Sequence, residues 1–127
     1  MFLTGSDMLR IVLADRQANV RSALRLLLEQ EAGMHIAAEA DDARSLLEAA
    51  MSAQADLILL DWNLPGADTT QLIADLRATT PGIHIIALSG RPEAASSALC
   101  AGCNAFVSKG DPPETLLAAL DDARQIS

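Results

Sequence analysis

Polar residues stand at the ends of four aliphatic runs. Asp15 follows Ile11-Val12-Leu13-Ala14, Asp61 follows Leu57-Ile58-Leu59-Leu60, Ser89 follows Ala87-Leu88, and Lys109 follows Phe106-Val107-Ser108. Two carboxylates, a hydroxyl and an ammonium are a set suited to phosphoryl chemistry. A carboxylate attacks phosphorus once positive charge offsets its own charge and the donor's. A lysine ammonium offers three donors to phosphoryl or carboxylate oxygens. Lys109 carries more information than an ordinary lysine, because it is the only lysine among nine basic residues. Any one of these four alone reads as a solvated loop residue; the four together at the ends of successive runs do not.

The elements that must position them follow from periodicity. Aliphatic runs at 11–14, 35–38, 57–60, 83–88 and 105–107 are each too short for a full helix and read as buried strands. Between them, Val20, Ala23, Leu24, Leu27 and Leu28 follow the i, i+3, i+4, i+7, i+8 pattern of an amphipathic helix, and Ala43, Leu46, Leu47 and Ala50 repeat it. Gly33 and Gly102 mark helix ends, and Pro81-Gly82 separates the third helix from the fourth strand. Asp68 with Gln71, and Asp111 with Pro112 and Glu114, have the form of capping boxes. Strand and helix alternate five times over about residues 9–126, with residues 1–8 as a flexible leader. The expected fold is a doubly wound α/β domain, a parallel sheet with helices on both faces. In such a sheet the carboxyl ends of the strands form the binding crevice, which is where the four polar residues fall.

At 127 residues the chain holds one domain, burying roughly two thirds of its unfolded surface. A net charge of −8 opposes direct binding to nucleic acid or anionic membrane and favours protein surfaces or cations as partners. No apolar run approaches the ~20 residues of a membrane span, and the first eight residues lack a signal-peptide pattern, which implies a cytoplasmic protein. Cys100 and Cys103 are too few for a disulfide scaffold.

The set Asp15, Asp61-Trp62-Asn63-Leu64-Pro65-Gly66, Ala87-Leu88-Ser89-Gly90 and Phe106-Val107-Ser108-Lys109-Gly110 resembles the receiver domain of two-component response regulators, with order and spacing kept over nearly the whole chain. Ser108-Lys109-Gly110-Asp111-Pro112-Pro113-Glu114 is most similar to the CheY-like receivers that precede LuxR- or NarL-type DNA-binding domains. The resemblance implies a flavodoxin-like (βα)5 sheet of five strands in the order 2-1-3-4-5. It further implies that Asp61 accepts a phosphoryl group from a sensor histidine kinase, at most self-catalysed, in a signalling protein rather than an enzyme. Asp15, Asp61 and the backbone carbonyl of Asn63 would hold Mg²⁺, while Ser89 and Lys109 would bind phosphoryl oxygens. Phe106 would follow Ser89 and report the switch to the face of helix 4, strand 5 and helix 5. A homodimer and a downstream DNA-binding domain in a longer product are left open by the resemblance.

One position departs from that pattern. The family carries a second acid after the first, as a direct metal ligand, and this chain has Arg16 there. The charge of Asp15, Arg16 and Asp61 is then −1, against −3 for three carboxylates. A guanidinium and Mg²⁺ ~6 Å apart at an effective dielectric of ~20 repel by roughly 5 kcal/mol, so Mg²⁺ affinity is expected to be weakened or lost. Three arrangements are open: Arg16 points outward, forks onto Asp61, or itself binds the phosphoryl group. The same substitution motivates a rival reading, a pseudo-receiver that acts as a phosphorylation-independent interaction module. Thr69, where many relatives carry Gly, is a lesser departure.

Other features read as structure. Cys100-Ala101-Gly102-Cys103 falls at a helix end rather than at the N-terminus that lowers a thiol pKa, and reads as two buried small apolar residues. His35 and His84 sit in separate strands. A hydrolase or flavin-binding domain of similar topology is disfavoured, since no G-x-S-x-G and no phosphate-cradling Gly loop is present.

Overall fold

The third strand is buried at every position, and its alternation divides the core in two. The computed structural model describes residues 8–126. Strands β1 (Leu9–Ala14), β2 (Met34–Ala40), β3 (Leu57–Asp61), β4 (His84–Ser89) and β5 (Ala105–Ser108) form one parallel sheet in the order β2-β1-β3-β4-β5. Helices α1 (Ala18–Glu29), α2 (Ala43–Ser52), α3 (Thr69–Thr79), α4 (Ala95–Ala101) and α5 (Pro113–Ile126) connect and flank it. A 3₁₀ turn at Pro92–Ala94 leads into α4.

Ile58 and Leu60 of β3, with Val12, Ile85 and Ala87, pack against Leu46 of α2, Leu72 and Leu76 of α3 and Ala98 of α4. Leu57 and Leu59, with Ile11, Leu13, Ile86 and Leu88, pack against Leu28 of α1 and Leu116 and Leu120 of α5. That two-sided burial is why the strands read as continuous aliphatic runs rather than alternating ones. Edge strand β2 is the exception, with His35 and Glu39 exposed between buried Met34, Ile36 and Ala40. A run-based reading therefore clips it at both ends.

Helix boundaries follow local chemistry. Asp68 caps α3 through the Thr70 N–H at 3.0 Å, but Gln71 turns instead to Asp75. The full capping box lies at α2, where Asp42 accepts from the Ser45 N–H at 2.8 Å and the Ser45 hydroxyl accepts from the Asp42 N–H. The expected cap at Asp111 is not formed. With α5 starting at Pro113, Asp111 lies one residue too early and accepts from the Ser108 N–H at 3.1 Å. Gly102 ends α4 at φ +113, a conformation costly to any residue with a Cβ. Of the leader assigned to residues 1–8, all but Met8 lies outside the described residues.

At the amino edge of the sheet the Arg77 guanidinium ties α3 to the Ile83 and Gly102 carbonyls and to Asn104 Oδ1. Burial, with Arg77 beside it, lowers the pKa of His84. His84 and exposed His35 are in different strands, and no group of three or more His, Cys, Asp or Glu side chains suited to a metal stands together among the described residues.

The two cysteines differ, correcting the expectation that both are buried. Cys103 is buried and its thiol is pushed up to about 11 by desolvation, whereas Cys100 is exposed on α4. Cys100 accordingly takes up a thiol-alkylating reagent in the native protein at pH 8, and Cys103 does so only after unfolding, as intact mass counts directly. Two rapid additions without denaturant would contradict this packing.

Candidate functional site

The parity of the strands brings the charged residues to one place. Asp15 continues Ile11 and Leu13, Asp61 continues Leu57 and Leu59, and Lys109 continues Ala105 and Val107, all on the side of the sheet that faces α1 and α5. In register, Ala14 pairs with Leu60, Asp61 with Leu88, and Ser89 with Ser108, so their carboxyl ends lie side by side. The three polar residues buried among the described ones are Asp15 at 2%, Asp61 at 5% and Ser89 at 1% exposure. Burying two carboxylates is costly unless each is paired or hydrogen-bonded. Both are paired with the same group. Lys109 Nζ lies 2.8 Å from Asp15 Oδ2 and 3.5 Å from Asp61 Oδ1.

Backbone donors fix the carboxylates. Asp15 Oδ1 accepts from the Gln17 N–H at 2.9 Å, and Asp61 Oδ1 accepts from the Asn63 N–H at 3.2 Å. Asp61 Oδ2 accepts no hydrogen bond from any described residue. The loop after β3 is held by the Trp62 N–H on the Leu88 carbonyl at 2.8 Å and by the Thr69 hydroxyl on the Trp62 carbonyl at 3.0 Å. Thr69 thus has a positioning contact that its residue type alone did not announce.

Ser89 is placed beside this group without being joined to it by its side chain. The Lys109 N–H donates to the Ser89 carbonyl at 2.8 Å, but the Ser89 hydroxyl accepts from the Arg91 N–H at 3.0 Å and is hydrogen-bonded to neither Asp61 nor Lys109. Phe106 is half-buried and packs, with Trp62, on the α2/α3/α4 side of the sheet, across from the carboxylates. Asn63 is exposed.

Arg16 is exposed and its side chain makes no ion pair or hydrogen bond with any described residue, so of the three open arrangements it does not fork onto Asp61. Arg21 does engage the site, from α1. Its Nη1 donates to the Asp15 carbonyl at 2.6 Å while Nε pairs with Glu39 at 2.8 Å, and Arg25 with Arg21 holds Glu39 below the usual carboxylate range. Arg21 lies six residues from Asp15 and eighteen from Glu39, and neither spacing is an i, i+3 or i, i+4 pair that a helical pattern would show.

The chain matches the response regulator receiver domain family over residues 11–121. It belongs to that family. The receiver is 32% identical over 101 residues to the Fimbriae Z protein of Salmonella typhimurium, covering 78% of this chain and 48% of that protein. It is 30% identical over 113 residues to the nitrate/nitrite response regulator protein NarP of Escherichia coli, covering 87% and 53%. The receiver therefore spans about half the length of the curated relatives it matches. Among solved structures, a LuxR-family two-component response regulator from Aurantimonas superposes with a TM-score of 0.86 at 26% identity, covering 93% of this chain and 86% of that one. The isolated receiver of RcsB from Salmonella enterica, solved with the phosphomimetic BeF₃⁻, gives 0.80 at 25% identity over 91% and 89%. These relatives agree with the flavodoxin-like order and the NarL-type resemblance read from the sequence.

Receiver domains normally bind Mg²⁺ at the acceptor aspartate. The residues of this receiver fit it poorly. Both Asp15 oxygens are already engaged, the ammonium of Lys109 lies within 3.5 Å of both carboxylates, and the neighbouring acid is replaced by Arg16.

Proposed function

We propose that this receiver accepts a phosphoryl group on Asp61 from a sensor histidine kinase and passes the change through Ser89 and Phe106 to the face made by α4, β5 and α5. The observation that carries the reading is the Lys109 ammonium shared by Asp15 and Asp61 at 2.8 and 3.5 Å. It offsets the charge that would otherwise repel an anionic donor, and Asp61 Oδ2 is left unbonded for attack. In the step, the Asp61 Oδ2–P bond forms as the donor's P–N or P–O bond breaks. Lys109 then turns from Asp15 to a phosphoryl oxygen. The Ser89 hydroxyl releases the Arg91 N–H to reach another, and the half-buried Phe106 ring moves with it.

The receiver domain occupies residues 9–126, works in the cytoplasm, and binds Mg²⁺ weakly or not at all. Asn63, through its backbone carbonyl, would complete any residual metal site. Its net charge of −8 disfavours direct contact with nucleic acid. Output then runs through a homodimer, a partner or a DNA-binding domain in a longer protein. Any catalysis is confined to its own phosphorylation and dephosphorylation.

The replacement of a family acid by Arg16 favours one rival, a pseudo-receiver that binds partners without phosphorylation. Intact mass after incubation with a cognate kinase or a small phosphodonor separates the two. A single phosphoryl-sized gain, absent in Asp61→Asn, is expected; no gain from any donor leaves the interaction module.

A further inference from the structure

Resting on the acceptor reading of Asp61, we infer that Arg16 and Lys109 together take over the role of a metal ion, so that this receiver is phosphorylated without a divalent cation. Four features carry it. The carboxylates Asp15 and Asp61 are matched in number by Lys109 and Arg16, so the group is neutral with no metal present. Lys109 already stands between the buried carboxylates. Arg16, next to Asp15 at the end of β1, is exposed, and its side chain makes no ion pair or hydrogen bond with any described residue. Its neighbours in α1 are committed instead, Arg21 to Glu39 and the Asp15 carbonyl, Arg25 to Glu39 and Glu29.

A guanidinium is suited to this task, because its planar fork meets two oxygens of one phosphoryl group at once. Strand order places Arg16 well for it, since β1 lies directly beside β3, whose last residue is Asp61. In the bound state Lys109 holds one phosphoryl oxygen and Arg16 two others. The donor supplies the phosphoryl group, the Asp61 Oδ2–P bond forms, and the donor's bond to phosphorus breaks with its electron pair leaving on the departing group. For acetyl phosphate that group is acetate, and no oxidant, reductant or metal is consumed. The same arrangement makes Arg16 a determinant of the aspartyl phosphate's lifetime, because a guanidinium on the phosphoryl oxygens obstructs an attacking water.

The test uses the full chain with acetyl phosphate, in excess EDTA and in millimolar Mg²⁺, read by intact mass over time. Wild type is expected to gain one phosphoryl group in EDTA, at a rate that Mg²⁺ changes by less than about threefold. Arg16→Gln is expected to lose at least ~tenfold of the EDTA rate, Arg16→Lys to retain part of it, and Arg16→Asp to need Mg²⁺. Equal urea midpoints of the four proteins check that an exposed position has not altered folding. A gain that EDTA abolishes in wild type, or an undiminished EDTA rate in Arg16→Gln, overturns the inference and leaves Asp61 as acceptor. No gain in any protein or buffer, including with a cognate kinase, overturns the acceptor reading and this inference with it.

Discussion

Lys109→Met lowers folding stability by about 2–3 kcal/mol, seen as a reduced urea midpoint with the slope unchanged. Methionine keeps the length and apolar stem of the side chain and removes only the ammonium. Asp15 and Asp61, 2% and 5% exposed, are then left without their shared counter-ion. Removing one partner of a buried ion pair costs about 3–5 kcal/mol. The Lys109 side chain is 27% exposed, so water screens part of the interaction and the lower range applies. The companion variant sharpens the test. Asp61→Asn alone removes one of two like charges and is neutral or mildly stabilising, and in the Lys109→Met background it restores most of the loss. A Lys109→Met protein as stable as wild type would mean that the ammonium is not what makes this buried pair tolerable.

Arg16→Asp raises the affinity for Mg²⁺ at least ~tenfold. The change removes a like charge from beside Asp15 and supplies a third hard oxygen ligand where the chain now has a guanidinium. Trp62 is the only tryptophan, half-buried, and its N–H is bonded to the strand next to Asp61, so its fluorescence reports the site without a label. Wild type is expected to show no saturable response at millimolar Mg²⁺ and Arg16→Asp a saturable one. Equal affinity in the two proteins would show that the residue after Asp15 does not control the metal.

The fold was legible because its strands are buried on both faces. Runs such as Leu57-Ile58-Leu59-Leu60 admit little else once amphipathic helices separate them. Asp15, Asp61 and Lys109 were legible for a related reason: the carboxyl ends of strands converge, so a polar residue after each run is placed by topology alone. What failed was local or long-range detail. Asp111 has the composition of a cap, but the paired prolines shift the start of α5 by one residue and send its carboxylate to Ser108. Cys100 is exposed because the short α4 turns Ala98 and Ala101 to the core and Cys100 away from it. Arg77 on Asn104 joins segments 27 residues apart and Arg21 folds back across one turn to the Asp15 carbonyl, and nothing in the pattern around either arginine points to its partner. The orientation of Arg16 was open in the sequence, since charge favours an approach to Asp61. In the fold Lys109 is paired with that carboxylate at 3.5 Å and the Arg16 guanidinium is exposed.

The claim on which the account rests is that Asp61 carries the phosphoryl group. An aspartyl phosphate is reduced by borohydride to homoserine, which marks the acceptor permanently and survives peptide mapping. After exposure to a phosphodonor and borohydride, the tryptic peptide containing residue 61 is expected to carry homoserine at that position, with Asp15 and the other aspartates unchanged. Homoserine at another aspartate, or at none in a protein that has gained a phosphoryl group, would contradict it.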